Sequence, residues 1–222
     1  MVTVRQGTYK VRVGSQELEI PLVPIAEDLT IALLISVDLG LAFAETAGGE
    51  LAAKLAPYDA EIVVSVATMG IPIAIEVTRA LGLDDYVILH KTPKIHLADA
   101  ISEPVRSITT AVPQRLLLDR ARLDAVTGRR VAVVDDVIST GGSTKAALNL
   151  LRRVGAGPVV VGAVVTEGAQ WRPYLGADAD LVQSLGAIPL FRHGPDGHLV
   201  EDWEGLGGSS TAEAASSAHG DA

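Results

Sequence analysis

The chain has 222 residues, 48% of them hydrophobic and only 4% aromatic, and a formal net charge of -9. That length buries the core of one α/β domain built mainly of Val, Ile, Leu and Ala, and the acidic balance offers no basic face for sequence-independent binding of nucleic acid. There is no cysteine, which excludes disulfides, thiolate catalysis and cysteine-ligated metals and fits a cytoplasmic protein.

The opening residues, MVTVRQGTYKVRVG, hold no apolar run of signal-peptide type. TYKVRVGSQELEI alternates apolar and polar residues and then meets Pro21 and Pro24, which predicts a short antiparallel element. LTIALLISVDLGLAFA, residues 29–44, is too short for a bilayer span and carries Asp38 and Gly40; it predicts a buried helix and no membrane segment. Residues 43–56 read as helical despite Gly48 and Gly49. A strand at 61–67, the turn MGIP, a helix IAIEVTRALG stopped by Gly82 and a strand at 86–90 make the crossover that builds parallel sheets.

From Lys91 to about Arg106 no period is evident, and so long a connection is often functional. SITT (107–110) and RLLLD (115–119) read as a β pair turned at AVPQ, followed by a short helix or turn ending near Gly128. VAVVD is the next buried strand. A helix over 143–154 then places Ala147, Leu148, Leu151 and Val154 on one face, and PVVVGAVVTEG gives a further strand. LFRHGPDGHLVEDW (190–203) reads as a small hairpin, and residues 206–222, rich in Gly, Ser and Ala, as a disordered tail. Alternating strands and helices predict an α/β fold: an open, mainly parallel sheet with helices on both faces.

The stretch VAVVDDVISTGGST (131–144) carries the chemistry. Ligands of an open parallel sheet collect beyond the carboxyl ends of its strands, and the following helix aims backbone N–H groups at the same crevice. Gly141 and Gly142 remove side-chain bulk, and Ser139, Thr140, Ser143 and Thr144 each offer a hydroxyl, so the turn is a monophosphate cradle. The order GGSTK does not match a P-loop, which places Lys before the hydroxyl residue, and G-x-G-x-x-G is absent. Adjacent carboxylates repel a bare phosphate but accept hydrogen bonds from vicinal hydroxyls. A ribose 5-phosphate satisfies both halves, with its hydroxyls on Asp135 and Asp136 and its phosphate on the glycine turn.

This stretch resembles the phosphoribosyl pyrophosphate motif of type I phosphoribosyltransferases, and a looser likeness extends over residues 10–195. Within the family the chain is most similar to the adenine phosphoribosyltransferase-related branch. HKTPK (90–94) resembles that branch's R-K-x-G-K segment, with Lys91 and Lys94 at its lysines, His90 where Arg is usual and Pro93 where Gly is usual. ATMGIP (67–72) stands where the family places its pyrophosphate loop, without the arginine of the adenine enzymes.

The resemblance implies a phosphoribosyltransferase domain over 1–205, with a hood from about 1–25 and 186–205. It implies transfer of the phosphoribosyl group to a nitrogenous base, most simply adenine, with release of pyrophosphate. The implied catalytic residues are Asp135, Asp136 and Lys91. Thr68, Met69, Gly70, Lys94, Val137, Ser139, Thr140, Gly141, Gly142, Ser143 and Thr144 are implied to bind substrate. Mg²⁺ is the implied cofactor, held by the substrate and touching Asp135 and Asp136 only through ribose hydroxyls or water; a homodimer is the family's habit. Residues 91–110, with Glu103, Arg106 and Ser107, are then the candidate lid. Two rival readings are a different acceptor base and a non-catalytic sensor of phosphoribosyl pyrophosphate; family regulators of that second kind carry a DNA-binding module and a basic surface. His90, His96, His193 and His198 fit no zinc spacing, and Trp171 and Trp203 read as packing residues.

Overall fold

Short runs dominated by β-branched residues, such as IVVSV and VAVV, suit strands buried on both faces. In the computed structural model of the chain, which describes residues 7–97, 99–105, 114–194, 196 and 198–205, they lie at the centre of a five-stranded parallel sheet. In chain order the elements are β1 (Thr8–Val13), β2 (Gln16–Ala26), β3 (Leu29–Ala32), α1 (Gly40–Leu55), β4 (Ile62–Val66), α2 (Gly70–Ala80), β5 (Tyr86–Leu89), β6 (Ile101–Val105) and β7 (Gln114–Leu118). There follow α3 (Leu123–Val126), β8 (Arg130–Ile138), α4 (Gly142–Arg153), β9 (Gly157–Glu167), α5 (Trp171–Leu175), β10 (Val182–Ile188), β11 (Leu190–His193) and β12 (Leu199–Asp202).

The parallel sheet has the order β10-β9-β8-β4-β5, which puts β8 in the middle. Alternate residues of β8 serve opposite layers. Ala132 and Val134 pack with Phe43, Leu51, Ile73 and Val77 of α1 and α2, whereas Val131 and Val133 pack with Leu148 and Leu151 of α4. Gly48 lets α1 approach α2 closely, since a Cβ there would fall 2.3 Å from Glu76 Cβ. The helix therefore tolerates a poor helix former where packing demands it. Among the described residues no helix is long and apolar enough to cross a membrane.

A second sheet, β1-β2-β3-β11-β12, is antiparallel throughout. Its first hairpin joins the β10 edge, where Gly14 N–H donates to Leu185 O at 3.0 Å. This is the hood sheet of the fold. It differs from the expected bounds of about 1–25 and 186–205 in two ways: 186–188 end β10 of the parallel sheet, and 29–32 join the hood.

The reading of 29–44 as one buried helix is thus corrected. LTIA is a hood strand paired with β2 and β11, a 3₁₀ turn covers Ser36–Leu39, and the helix starts only at Gly40. The β pair is corrected too. β7 pairs with β6, Ile101 opposite Leu118 and Val105 opposite Gln114, while SITT lies outside the described residues. Of the two tryptophans, Trp171 is buried but Trp203 is 45% exposed, its indole N–H donating to Glu201. The predicted tail, 206–222, lies outside the described residues.

Behind the sheet's carboxyl edge, Lys145 and Arg152 of α4 both bond Asp178, at 2.9 and 2.6 Å. Arg152 first, and then Lys145, lower the Asp178 pKa to about 2. Because the folded value is depressed, its stabilisation is present above the ordinary carboxylate pKa and is lost as pH falls through about 2. Asp178→Asn is expected to cost about 1 kcal/mol at neutral pH, a modest figure because Arg152 is half-exposed and screened, with the penalty vanishing near pH 2 in urea titrations.

Candidate active site

β8 ends among the loops at the carboxyl edge, and its last residues bring Asp135 and Asp136 there. Asp136 is buried and Asp135 partly so. The Asp135 carboxylate folds back on its own strand, its Oδ1 accepting from Asp136 N–H at 3.0 Å. Burial first, and then the neighbouring Asp136, push the Asp135 pKa well above the usual carboxylate range; the exposed Lys91 at the end of β5 pulls in the other direction. Burial raises Asp136 as well. The pair is therefore costly to ionise in the ligand-free protein, and a ligand that donates hydrogen bonds or brings positive charge relieves it.

The loop after β4 closes one side. A cis peptide joins Ala67 to Thr68, and Met69 O accepts from the buried Ser36 Oγ at 2.5 Å. Gly70 opens α2 directly against the acids: a Cβ there would lie 2.7 Å from Asp135 Oδ1 and 3.2 Å from its Cα. Only glycine admits this approach. The buried Ser65 Oγ lies against the same glycine without a hydrogen-bond partner. At the start of α2, Ile71 N–H donates to Thr68 O at 3.2 Å and Pro72 carries no N–H, so few backbone donors of this helix remain for a ligand.

The turn after β8 closes the other side. Gly141 takes φ 79°, a left-handed conformation that glycine adopts without strain, and starts α4 with no side-chain cap. The first bond of the helix runs from Lys145 N–H to Gly141 O, so the Ser143 and Thr144 N–H groups precede the ladder. Thr140 Oγ1 accepts from Gly142 N–H at 3.4 Å, and the Thr144 side chain is buried. Ser139 differs from its neighbours: its hydroxyl donates to Glu167 at the end of β9. Lys145 is turned away onto Leu175 O and Asp178, which separates GGSTK from a P-loop in geometry as well as in order.

The acids thus stand between the 68–70 loop and the 139–144 turn, with Lys91 beyond them. Lys94 is exposed and distinguished by no side-chain contact among those described. Val137 faces a cavity of about 380 Å³ under the hood. That cavity is walled by Ile25, Leu29, Ile31, Leu34, Met69 and Leu190, with Asp136, Ser139, Thr140, Glu167 and Gln170 on its polar side. Reading 29–44 as a helix hid the hood strand that supplies the apolar wall. Glu167 and Ser36 were also missed. Glu167 carried a usable signal, since it ends the apolar run PVVVGAVVT as the two aspartates end VAVV; Ser36 carried none. Glu103 of the expected lid pairs with Arg153 of α4, holding β6 to the body of the protein, while Arg106 and Ser107 lie outside the described residues.

Among the described residues no group of three or more His, Cys, Asp or Glu side chains is arranged to hold a metal ion. Two adjacent carboxylates fit a divalent ion that arrives on a polyanionic substrate and takes its other ligands from that substrate and water.

An open parallel sheet with an antiparallel hood over its carboxyl edge is the fold of the type I phosphoribosyltransferases. The sequence matches the Phosphoribosyl transferase domain family over residues 44–182, and the chain belongs to that family of enzymes using phosphoribosyl pyrophosphate. It is 29% identical over 156 residues to a xanthine phosphoribosyltransferase of Laribacter hongkongensis, covering 69% of this chain and 77% of that protein. With an adenine phosphoribosyltransferase of Streptomyces avermitilis it shares 43% identity over 67 residues, 30% of this chain and 34% of that protein. The crystal structure of adenine phosphoribosyltransferase from Thermoanaerobacter pseudethanolicus shares the fold at a TM-score of 0.61 and 18% identity, over 76% of this chain and 95% of that one. The relatives include adenine, xanthine and orotate enzymes, so family membership fixes the donor and leaves the acceptor base open.

The raised Asp135 pKa has a consequence for stability. Below the unfolded carboxylate pKa the group is protonated in both states; as pH rises toward the folded value, the unfolded chain ionises first and the native state loses stability. Asp135→Asn, which keeps an acceptor for Asp136 N–H, is expected to melt above the wild type at neutral pH and level with it in acid. Gly70→Ala should melt lower at both, because its methyl displaces backbone.

Proposed function

We propose that this enzyme transfers the 5-phosphoribosyl group to a purine base. One arrangement carries the reading: paired acids, a glycine–hydroxyl turn and the 68–70 loop meet near the end of β8, beside a cavity under the hood with one apolar wall. The turn takes the 5-phosphate on the N–H groups of α4 and the hydroxyls of Thr140, Ser143 and Thr144. Asp135 and Asp136 take the ribose hydroxyls, and the 68–70 backbone with Lys91 takes the pyrophosphate. The apolar wall stacks the base, leaving its polar edge toward Glu167.

As the base nitrogen bonds to C1, the C1–O bond to pyrophosphate breaks, pyrophosphate leaves with the electron pair, and the proton of the attacking nitrogen passes to water. Positive charge develops on the ribose ring, where the adjacent carboxylates stabilise it, while Lys91 offsets charge on the departing group. Asp135 and Asp136 would help hold Mg²⁺ through ribose hydroxyls or water, and the ion would neutralise charge on the pyrophosphate.

Adenine is the acceptor that the likeness of HKTPK to the lysine segment of the adenine branch favours. Xanthine is the second reading, favoured by the long alignment with the xanthine enzyme. A homodimer is the assembly we infer: Leu41, 86% exposed, and Ile95, 99% exposed, are apolar surface that a second copy would cover.

Incubating the protein with Mg²⁺, phosphoribosyl pyrophosphate and a panel of bases tests the reading by nucleotide and pyrophosphate formed. Nucleotide from a purine is expected, and Asp136→Asn should lower kcat/KM by about 100-fold or more. Product from orotate alone, or a fully active Asp136→Asn, contradicts it.

A further inference from the structure

The cavity under the hood contains one charged group that binding of the donor leaves unused. Glu167 closes the last buried turn of β9, 6% exposed, and lines the cavity. Among the described residues the only hydrogen bond to its carboxylate comes from Ser139, on Oε2. No lysine or arginine lines this cavity, and no ion pair of the described residues includes Glu167. Gln170 does not supply the missing donor, because its amide N–H goes to the Glu167 backbone carbonyl at 3.1 Å. A carboxylate with two oxygens and about four acceptor positions is thus held in an apolar cleft on a single donor.

Such a group imposes a chemical demand on whatever fills the cleft. A buried carboxylate left unsatisfied is costly, and an N–H donor placed against it removes that cost. A carbonyl oxygen at the same point adds repulsion between lone pairs. Neighbouring charges cannot change the sign of this preference, because the other charged side chain lining the cavity, Asp136, is also acidic.

We propose that Glu167 sets acceptor specificity, selecting a base that presents an exocyclic amino group to its carboxylate over one presenting a carbonyl or a bare C–H. Ser139 is the positioning residue: by fixing Oε2 it leaves Oε1 for the base. This rests on the reading above that the base occupies the cavity under the hood. It favours adenine over xanthine, which has no exocyclic amino group.

Two matched pairs of bases isolate the amino group: adenine against purine, and guanine against hypoxanthine. In the wild type one amino member is expected to exceed its partner by at least about tenfold in kcat/KM, since a site built to bond a donor rejects the analogue lacking it. The ratio should fall toward unity in Glu167→Leu, and Glu167→Gln should admit the carbonyl-bearing base. Titration with the corresponding nucleoside 5′-monophosphates, AMP against purine riboside 5′-monophosphate and GMP against IMP, gives the same ratios without turnover. A ratio unchanged in both variants overturns the role of Glu167, as does a wild type that favours neither amino member. Titration with phosphoribosyl pyrophosphate alone separates the two levels: if the wild type binds it and the ratios do not move, only Glu167 is misassigned. Failure to bind it at all strikes the transferase reading itself.

Discussion

Two adjacent carboxylates at the buried end of the central strand are the constraint around which the site is built. Burial opposes the ionisation of both, and Asp136 adds to it for Asp135, so the ligand-free protein carries an electrostatic burden at that strand end. Everything close by either tolerates that burden or offsets it in the complex. Gly70 lets α2 begin against Asp135, α4 begins without a side-chain cap, and Lys91 stands in solvent within reach of the pair's field. A sugar phosphate is a ligand that uses both features together, because its hydroxyls donate to the acids while its phosphate accepts from the helix.

The hood completes the site by supplying what a parallel sheet lacks. Strand ends and loops give polar groups and backbone N–H, but a flat base also needs an apolar surface. β3 and β11 provide it, Leu190 opposite Ile31, and their placement turns the carboxyl edge of the sheet into a cleft. Two acidic side chains then face that cleft, Asp136 from β8 and Glu167 from its neighbour β9. The two strands end by the same device, an apolar run closing on an acid.

The parallel sheet and the glycine turn after β8 were legible in the sequence because both rest on local patterns. Apolar runs of strand length, Gly82 and Gly128 at element ends, and the acids followed by paired glycines all act within a few residues. The hood wall was not legible in the same way. LTIALL has the composition of a buried helix, and only pairing with β2 and β11, one of them about 160 residues away in the chain, makes its first four residues a strand. The partner of β7 was misread for a similar reason: ISEPV carries a Glu and a Pro that weaken its strand pattern, yet it sits on an edge where both are admissible. Ser36 pinning Met69 O and Ser139 bonding Glu167 are tertiary contacts between distant segments, which no spacing encodes.

Calorimetric titration of the protein with Mg²⁺ and phosphoribosyl pyrophosphate, wild type beside the Asp135→Asn/Asp136→Asn double variant, bears most directly on the paired acids as the sugar-phosphate site. Saturable binding in the wild type and its loss in a double variant that still folds and melts cooperatively is the predicted result. Equal binding by the two proteins would contradict it.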